Sequence, residues 1–555
     1  MQSLSTSRAV VTSAPRWGRS CAAGAAALRP DAVSCIYARA PRAHRCVDAL
    51  SAIALLFFSH STAAPRSPPL PRPEALHCRV PKRCSRVPTR CSLSSQLGST
   101  AIRVSRRSLV RSLSSSNEIP EWASVNPWTM SAEEPAVGMN LCGGEWSSAA
   151  STVTHVDPLN GDEFMVVPDT TVDEIAPFVE RMANAPRTGL HNPIKNPERY
   201  NMLGEVCANM ARELHKPEVR DFFGKLIQRL TPKSWPQSVG EPVVVRKWLE
   251  NYSCDQVRYL ARSFGVPGDH AGQTSTGIRM PFGGVSVVTP FNFPLEICAL
   301  QTMSALFMGN QVTTKVDEKV QICMEQFLRL AHHVGLPKDD VDLIYCQGPV
   351  MNKLMVDGNS RMCLFTGSQH IAEKLTVDLR GRVKLEDAGF DWKVLGPDPS
   401  EIEFVAWQAD QDAYAFSGQK CSAQSIMFVH EAWSAPEVDI VGKIKAKAET
   451  RNLAELTSTP VLTWTTPQFL AHVDACLAIP GAELVFGGKE LAEHSIPAKY
   501  GAVEPTAVRV PLAALANPEH FAVATTELFG PFQVSCRLCT VIFHANLAHS
   551  LTRSP

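Results

Sequence analysis

The sequence predicts an α/β fold built on a parallel sheet. Three observations carry this. Short β-branched runs recur between residues 284 and 386, helix-length segments separate them, and Gly or Pro punctuates the joints. Gly284-Val-Ser-Val-Val-Thr289 is the first run, apolar enough for a strand buried on both faces. Pro290-Phe-Asn-Phe-Pro294 breaks it. Residues 295–308 then read as a buried helix, ended by Gly309-Asn310. Residues 312–315 give the next strand and 319–334 an amphipathic helix, stopped by Gly335-Leu-Pro337. Residues 342–345 and 362–365 are further strands, 369–379 a helix, and 382–386 a strand again. Upstream, residues 173–235 carry helical spacing with charges of both signs, and 241–262 look similarly mixed. Such a sheet binds ligands at the carboxyl ends of its strands. That singles out the loops at 289–292, 315–318 and 366–369, although none is a GxGxxG turn.

The 555 residues suffice for two or three domains. Lys+Arg and Asp+Glu are equal at 54 each, a balance that gives no reason to expect nucleic acid or acidic membranes as partners. The charge is unevenly placed. Residues 1–115 hold seventeen Arg and one Lys against three acids, Asp31, Asp48 and Glu74. An Arg- and Ser-rich, acid-poor leader reads as an organelle transit peptide, against a disordered basic tail or mistranslated upstream sequence. The apolar run at 49–58 is too short to span a bilayer and resembles a signal-peptide core, which leaves a bipartite plastid leader open. The globular part is expected to start near Glu118. Of 17 Cys, six lie in the leader; the rest are scattered with no His at zinc spacing, and Cys536 with Cys539 form the body's one CxxC pair.

Three places carry chemistry. Ser417-Gly-Gln-Lys-Cys421-Ser-Ala puts a thiol among small and polar residues, as an exposed nucleophile needs; the competing reading is a small buried hydrophobe. Lys384-Leu-Glu386-Asp-Ala-Gly389 ends a strand with a carboxylate that can act as a general base, with Asp387 its competitor and a surface turn the plainer alternative. Thr289-Pro-Phe-Asn292-Phe-Pro294 offers an amide that can donate to an oxyanion, or that merely serves the turn.

Together these motifs resemble the aldehyde dehydrogenase superfamily. The supporting residues, in order, are Asn292, Lys315 with Glu318, Phe365-Thr366-Gly367-Ser368, Glu386, Gly418-Gln419-Lys420-Cys421 and Glu527-Leu-Phe529-Gly-Pro531. Longer stretches are similar to the plant-type pyrroline-5-carboxylate dehydrogenases: residues 384–396 and 417–425, Gly189-Leu-His-Asn-Pro193, Asn196-Pro-Glu-Arg-Tyr200 and Leu260-Ala-Arg-Ser-Phe264. Asp387-Ala388 depart from the wider superfamily and agree with that subfamily.

The resemblance implies an aldehyde dehydrogenase fold: a Rossmann-like parallel-sheet NAD domain at 118–386, including an N-terminal helical region, and a smaller α/β catalytic domain at 387–534. It stops after Val534, so residues 535–555 read as a non-family tail on a C-terminally truncated domain. Implied roles are Cys421 as nucleophile, Asn292 with the Cys421 backbone N–H as oxyanion donors, and Glu386 as the base for water. Thr289, Phe291, Lys315, Glu318, Gly367, Ser368, Glu527 and Phe529 would bind NAD, Glu318 disfavouring a 2′-phosphate. The implied reaction is oxidation of glutamate γ-semialdehyde to glutamate in proline catabolism, in the mitochondrial matrix or alternatively a plastid. The implied assembly is a homo-oligomer without stable membrane insertion. Two alternatives stay open: another semialdehyde, and an inactive or binding-only homologue.

Overall fold

The computed structural model describes residues 119–539 except residue 388. The leader, its apolar run at 49–58 and residues 540–555 lie outside the described residues.

The principal sheet contains β1 (Asn140–Cys142), β2 (Glu145–Ser147), β3 (Gly284–Thr289), β4 (Gln311–Val316), β5 (Val341–Leu343), β6 (Cys363–Thr366) and β7 (Val383–Glu386). Their order is β7-β6-β3-β4-β5-β1-β2. The five strands from β7 to β5 run parallel, and the β1–β2 hairpin adds antiparallel to β5. All residues of β3 but Val288 are buried, as a β-branched strand covered on both faces should be. The chain winds outward from β3 to β4 and β5, then returns to lay β6 on the other side of β3. The strand order therefore reverses between β3 and β6. A crevice must open there, because the connections leave in opposite directions.

A second sheet holds β8 (Asp391–Leu395), β9 (Gln424–His430), β10 (Glu483–Phe486), β11 (Thr506–Arg509) and β12 (Phe532–Leu538), ordered β8-β9-β12-β11-β10. Its strands are parallel except β10. The chain passes from one sheet to the other between Glu386 and Asp391. Two small sheets complete the strands: Ala136–Val137 with Thr152–Val156 and Glu163–Pro168, and the exposed hairpin Phe264–Pro267 with Thr274–Gly277.

The predicted strands and helices of the principal sheet are present, with ends shifted by a few residues. The helix expected from 319 begins at Ile322, because the Gln321 side chain caps β4 instead: its Oε1 accepts the Val316 N–H at 2.8 Å. A helix at Gly348–Asp357, not anticipated from the sequence, starts with Pro349 in its first turn. Residues 173–235 divide into helices Ala176–Asn184, Glu198–His215 and Pro217–Leu230, and Trp235–Asn251 follows. The boundary expected after Val534 falls inside β12, which pairs with β9 through Leu538 and with β11 through Ser535.

Gly309 ends the Glu296–Phe307 helix at φ +91°. A Cβ there would lie 2.0 Å from the His191 carbonyl oxygen. Gly309→Ala therefore combines a left-handed backbone with overpacking and is expected to cost about 2–4 kcal/mol. Urea unfolding should show it as a lower midpoint at unchanged slope.

Candidate functional site

The carboxyl ends of β3, β6 and β7 lie side by side, Thr366 being in register with Glu386. Facing them are residues that precede the parallel strands β8, β9 and β12: residues 387, 389 and 390, the loop ending at Cys421, and residues 527–531. Between the two sets lies a cavity of about 200 Å³. Its lining joins Phe291, Asn292, Gly367, Ser368, Glu386, Cys421, Glu527 and Phe529, all predicted from the sequence. Asp387 is there too. Thr289 is buried at the end of β3, while Lys315 on β4 and Glu318 just after it stand one strand away, outside the cavity lining. Glu318 accepts a hydrogen bond from the Gln347 amide.

The loop that leads to Cys421 is held by its neighbours. Phe416, Ser417 and Gly418 all take positive φ, which folds the chain back sharply ahead of Cys421. Gly418 is required on contact grounds as well: a Cβ would come 2.2 Å from the Gly530 carbonyl oxygen. Gln419 is fully buried; its Oε1 accepts from Leu462 N and its Nε2 donates to the Pro460 carbonyl. Ser417 Oγ accepts from Thr459 N at 2.8 Å. The conspicuous Gly-Gln pair thus ties the loop to residues 459–462. Residues 463 and 464 of that segment, Thr463 and Trp464, line the cavity. Neither was visible in the sequence, since no periodicity or charge marks them.

Asn292 is 1% exposed and donates from Nδ2 to the Gln419 carbonyl at 3.2 Å. Its Oδ1 is buried without a hydrogen-bond partner among the described residues. Its backbone carbonyl accepts from Lys233 Nζ at 2.8 Å. Lys233 and its partner Glu241 sit on a stretch where sequence spacing signalled only a helix, and they too were missed.

Cys421 is half-buried and lines the cavity together with Glu386. Burial, then the Glu386 carboxylate beside it, push the thiol up to about 11. The Cys421 backbone N–H acts oppositely. At neutral pH the thiol holds its proton, and the Glu386 carboxylate lines the same cavity. Burial, followed by the Asp391 charge, raises Glu527 to about 7.

A dinucleotide fits this frame. Gly367 has no side chain between its backbone and the cavity, and its N–H donates to the Glu386 carbonyl at 3.1 Å. Ser368 stands at the N-cap position of the helix Gln369–Asp378 without a side-chain capping bond, and the first free N–H groups of that helix suit a pyrophosphate. The arrangement can form a covalent bond at sulfur, take its proton at Glu386, and hold an anionic oxygen at Asn292.

The profile of the Aldehyde dehydrogenase family matches residues 146–541. A "Probable aldehyde dehydrogenase" of Linum usitatissimum is 53% identical over 419 residues, covering 76% of each chain. The "Delta-1-pyrroline-5-carboxylate dehydrogenase 12A1, mitochondrial" of Arabidopsis thaliana is 53% identical over 423 residues, with 76% of each chain covered. Among solved structures, an NAD-dependent aldehyde dehydrogenase from Sinorhizobium meliloti aligns with a TM-score of 0.63 at 20% identity, covering 76% of this chain and 81% of that one. The fold is shared with it.

If Glu386 raises the Cys421 pKa, Glu386→Gln lowers it. Alkylation of Cys421 by iodoacetamide, located by peptide mass, should rise about tenfold per pH unit on the acid side of the wild-type pKa. In the variant the same curve should sit at lower pH, with faster alkylation at pH 8. Superimposable curves would separate the carboxylate from the thiol.

Proposed function

The chain belongs to the aldehyde dehydrogenase family, and on that premise we propose that it oxidises L-glutamate γ-semialdehyde to L-glutamate with NAD. The observation that carries the chemistry is that the Cys421 thiol and the Glu386 carboxylate line one cavity at the point where the strand order reverses. The substrate reading draws on the 53% identical Arabidopsis protein, whose name gives pyrroline-5-carboxylate dehydrogenase and mitochondrial; we extend both to this chain.

Glu386 takes the thiol proton, and Cys421 attacks the aldehyde carbon to give a thiohemiacetal. Asn292 Nδ2 and the Cys421 backbone N–H hold its oxygen as charge develops. Bound NAD supplies the hydride acceptor. Gly367 and Ser368 receive the pyrophosphate, and Glu527 with Phe529 orient the nicotinamide ribose. The Phe291 and Phe529 rings meet edge-on at 5.9 Å, which fixes the wall beside that ribose. Thr289 and Phe291 shape the loop, while Lys315 and Glu318, at the next strand end, take the adenosine ribose. Glu318 favours NAD, since a 2′-phosphate would be repelled. Glu386, once it has lost its proton, activates the water that hydrolyses the thioester.

Purified full-length protein should form NADH from pyrroline-5-carboxylate, read at 340 nm, and much less NADPH. Cys421→Ala should lower kcat/KM by about 10⁴-fold or more. Turnover of a different semialdehyde with none of this one would replace the substrate, and turnover by Cys421→Ala would remove the mechanism. Glu527 offers a separate check. Its carboxyl, raised to about 7, becomes neutral as pH falls through that value and so loses strength as an acceptor for ribose hydroxyls. KM for NAD should therefore rise below about pH 7 in the wild type and vary less with pH in Glu527→Gln.

A further inference from the structure

Lys233 is 1% exposed, and its ammonium joins parts of the protein distant in sequence. Nζ donates at 2.8 Å to Glu241 Oε1 and at 2.8 Å to the Asn292 carbonyl oxygen. It lies 4.6 Å from the Phe293 ring centre and 4.3 Å from that of Phe416. Phe293 follows Asn292, and Phe416 opens the left-handed turn that leads to Cys421. The other Glu241 oxygen accepts from the N–H groups of Leu295 and Glu296, at the start of the Glu296–Phe307 helix. The groups named here around the Lys233 ammonium and the Glu241 carboxylate thus lie on the two loops that bear Asn292 and Cys421, or at the start of the helix that follows the first.

A buried ion pair gains little net stability, because desolvating two charges offsets their attraction. The loop it holds, in contrast, needs an anchor. Pro290 and Pro294 lack N–H donors, so the stretch 290–294 forms no ladder of its own. Its hydrogen bonds at Asn292 are the Lys233 bond to the carbonyl and the amide bond to Gln419.

We propose that Lys233, held by Glu241, is the positioning residue of the oxyanion site: by fixing the Asn292 carbonyl and sitting between Phe293 and Phe416, it sets where the Asn292 amide points relative to the Cys421 sulfur. This rests on the function proposed above, in which Asn292 receives the thiohemiacetal oxygen. Lys233 itself touches neither substrate nor sulfur. A displacement of about 1 Å at such a donor lowers rates by about 100-fold.

The test compares two reactions of Cys421 in the full-length protein. Acylation by 4-nitrophenyl acetate passes through an oxyanion; alkylation by iodoacetamide does not. Lys233→Met removes both hydrogen bonds but leaves Glu241 charged and alone, so the decisive variant is Lys233→Met with Glu241→Gln, which removes that charge. In it, acylation is expected to fall about 100-fold while alkylation stays within about twofold, and kcat for aldehyde should fall with little change in KM for NAD. Equal losses in both reactions, no loss in either, or a double variant that no longer melts cooperatively would each overturn the proposal, the last by making the pair a stability element. A wild type whose acylation does not depend on Cys421 would instead overturn the function itself, and this inference with it.

Discussion

One contact ties the site together: the Asn292 amide donating to the Gln419 carbonyl across 127 residues of chain. Asn292 belongs to the carboxyl end of a strand in one sheet, and Gln419 to the approach to a strand in the other. Neither sheet alone contains the cavity. It exists because two parallel sheets meet with carboxyl ends facing amino ends, and because buried polar groups at the junction find partners in each other. Gln419, Ser417 and Lys233 repeat the same logic, each spanning loops that sequence separates widely.

Much of this was legible beforehand, for physical reasons. A parallel strand covered on both faces must be apolar and favours β-branching, so Gly284–Thr289 could be read with both ends correct. A thiol, a carboxylate and an amide in short Gly- and Pro-flanked loops announce themselves, because catalytic groups sit where regular structure stops. The illegible parts are those whose meaning is purely tertiary. Lys233 looks like a surface charge until Phe293 and Phe416 are placed around it. Trp464 has no periodic context, and its place on the cavity follows from Gln419 gripping the segment before it. The start of the helix at Ile322 depended on a side chain choosing to cap β4. The boundary read at Val534 falls within β12, which pairs with β9 through Leu538; a short mixed run such as Val534 to Leu538 can carry a strand without carrying a motif.

The electrostatics of the site are acidic. Glu386, Asp387 and Glu527 line the cavity, and Asp391 acts on both Cys421 and Glu527. Among these groups a thiolate is disfavoured until something positive or proton-accepting intervenes. That suits an enzyme of this family, because an idle thiolate is the species that oxidants and stray electrophiles attack. The reactive form is best generated only when a carbonyl carbon is in place to receive it.

The N–H of Gly367 donates to the carbonyl of Glu386, across paired strands whose ends are in register. The backbone at Gly367 and the backbone beneath the Glu386 side chain are therefore tied by a single hydrogen bond. The acid can swing only about its own side-chain torsions. In the proposed cycle, its turn from sulfur to water would be a change of rotamer on that pivot, with no travel of the main chain demanded between the two halves.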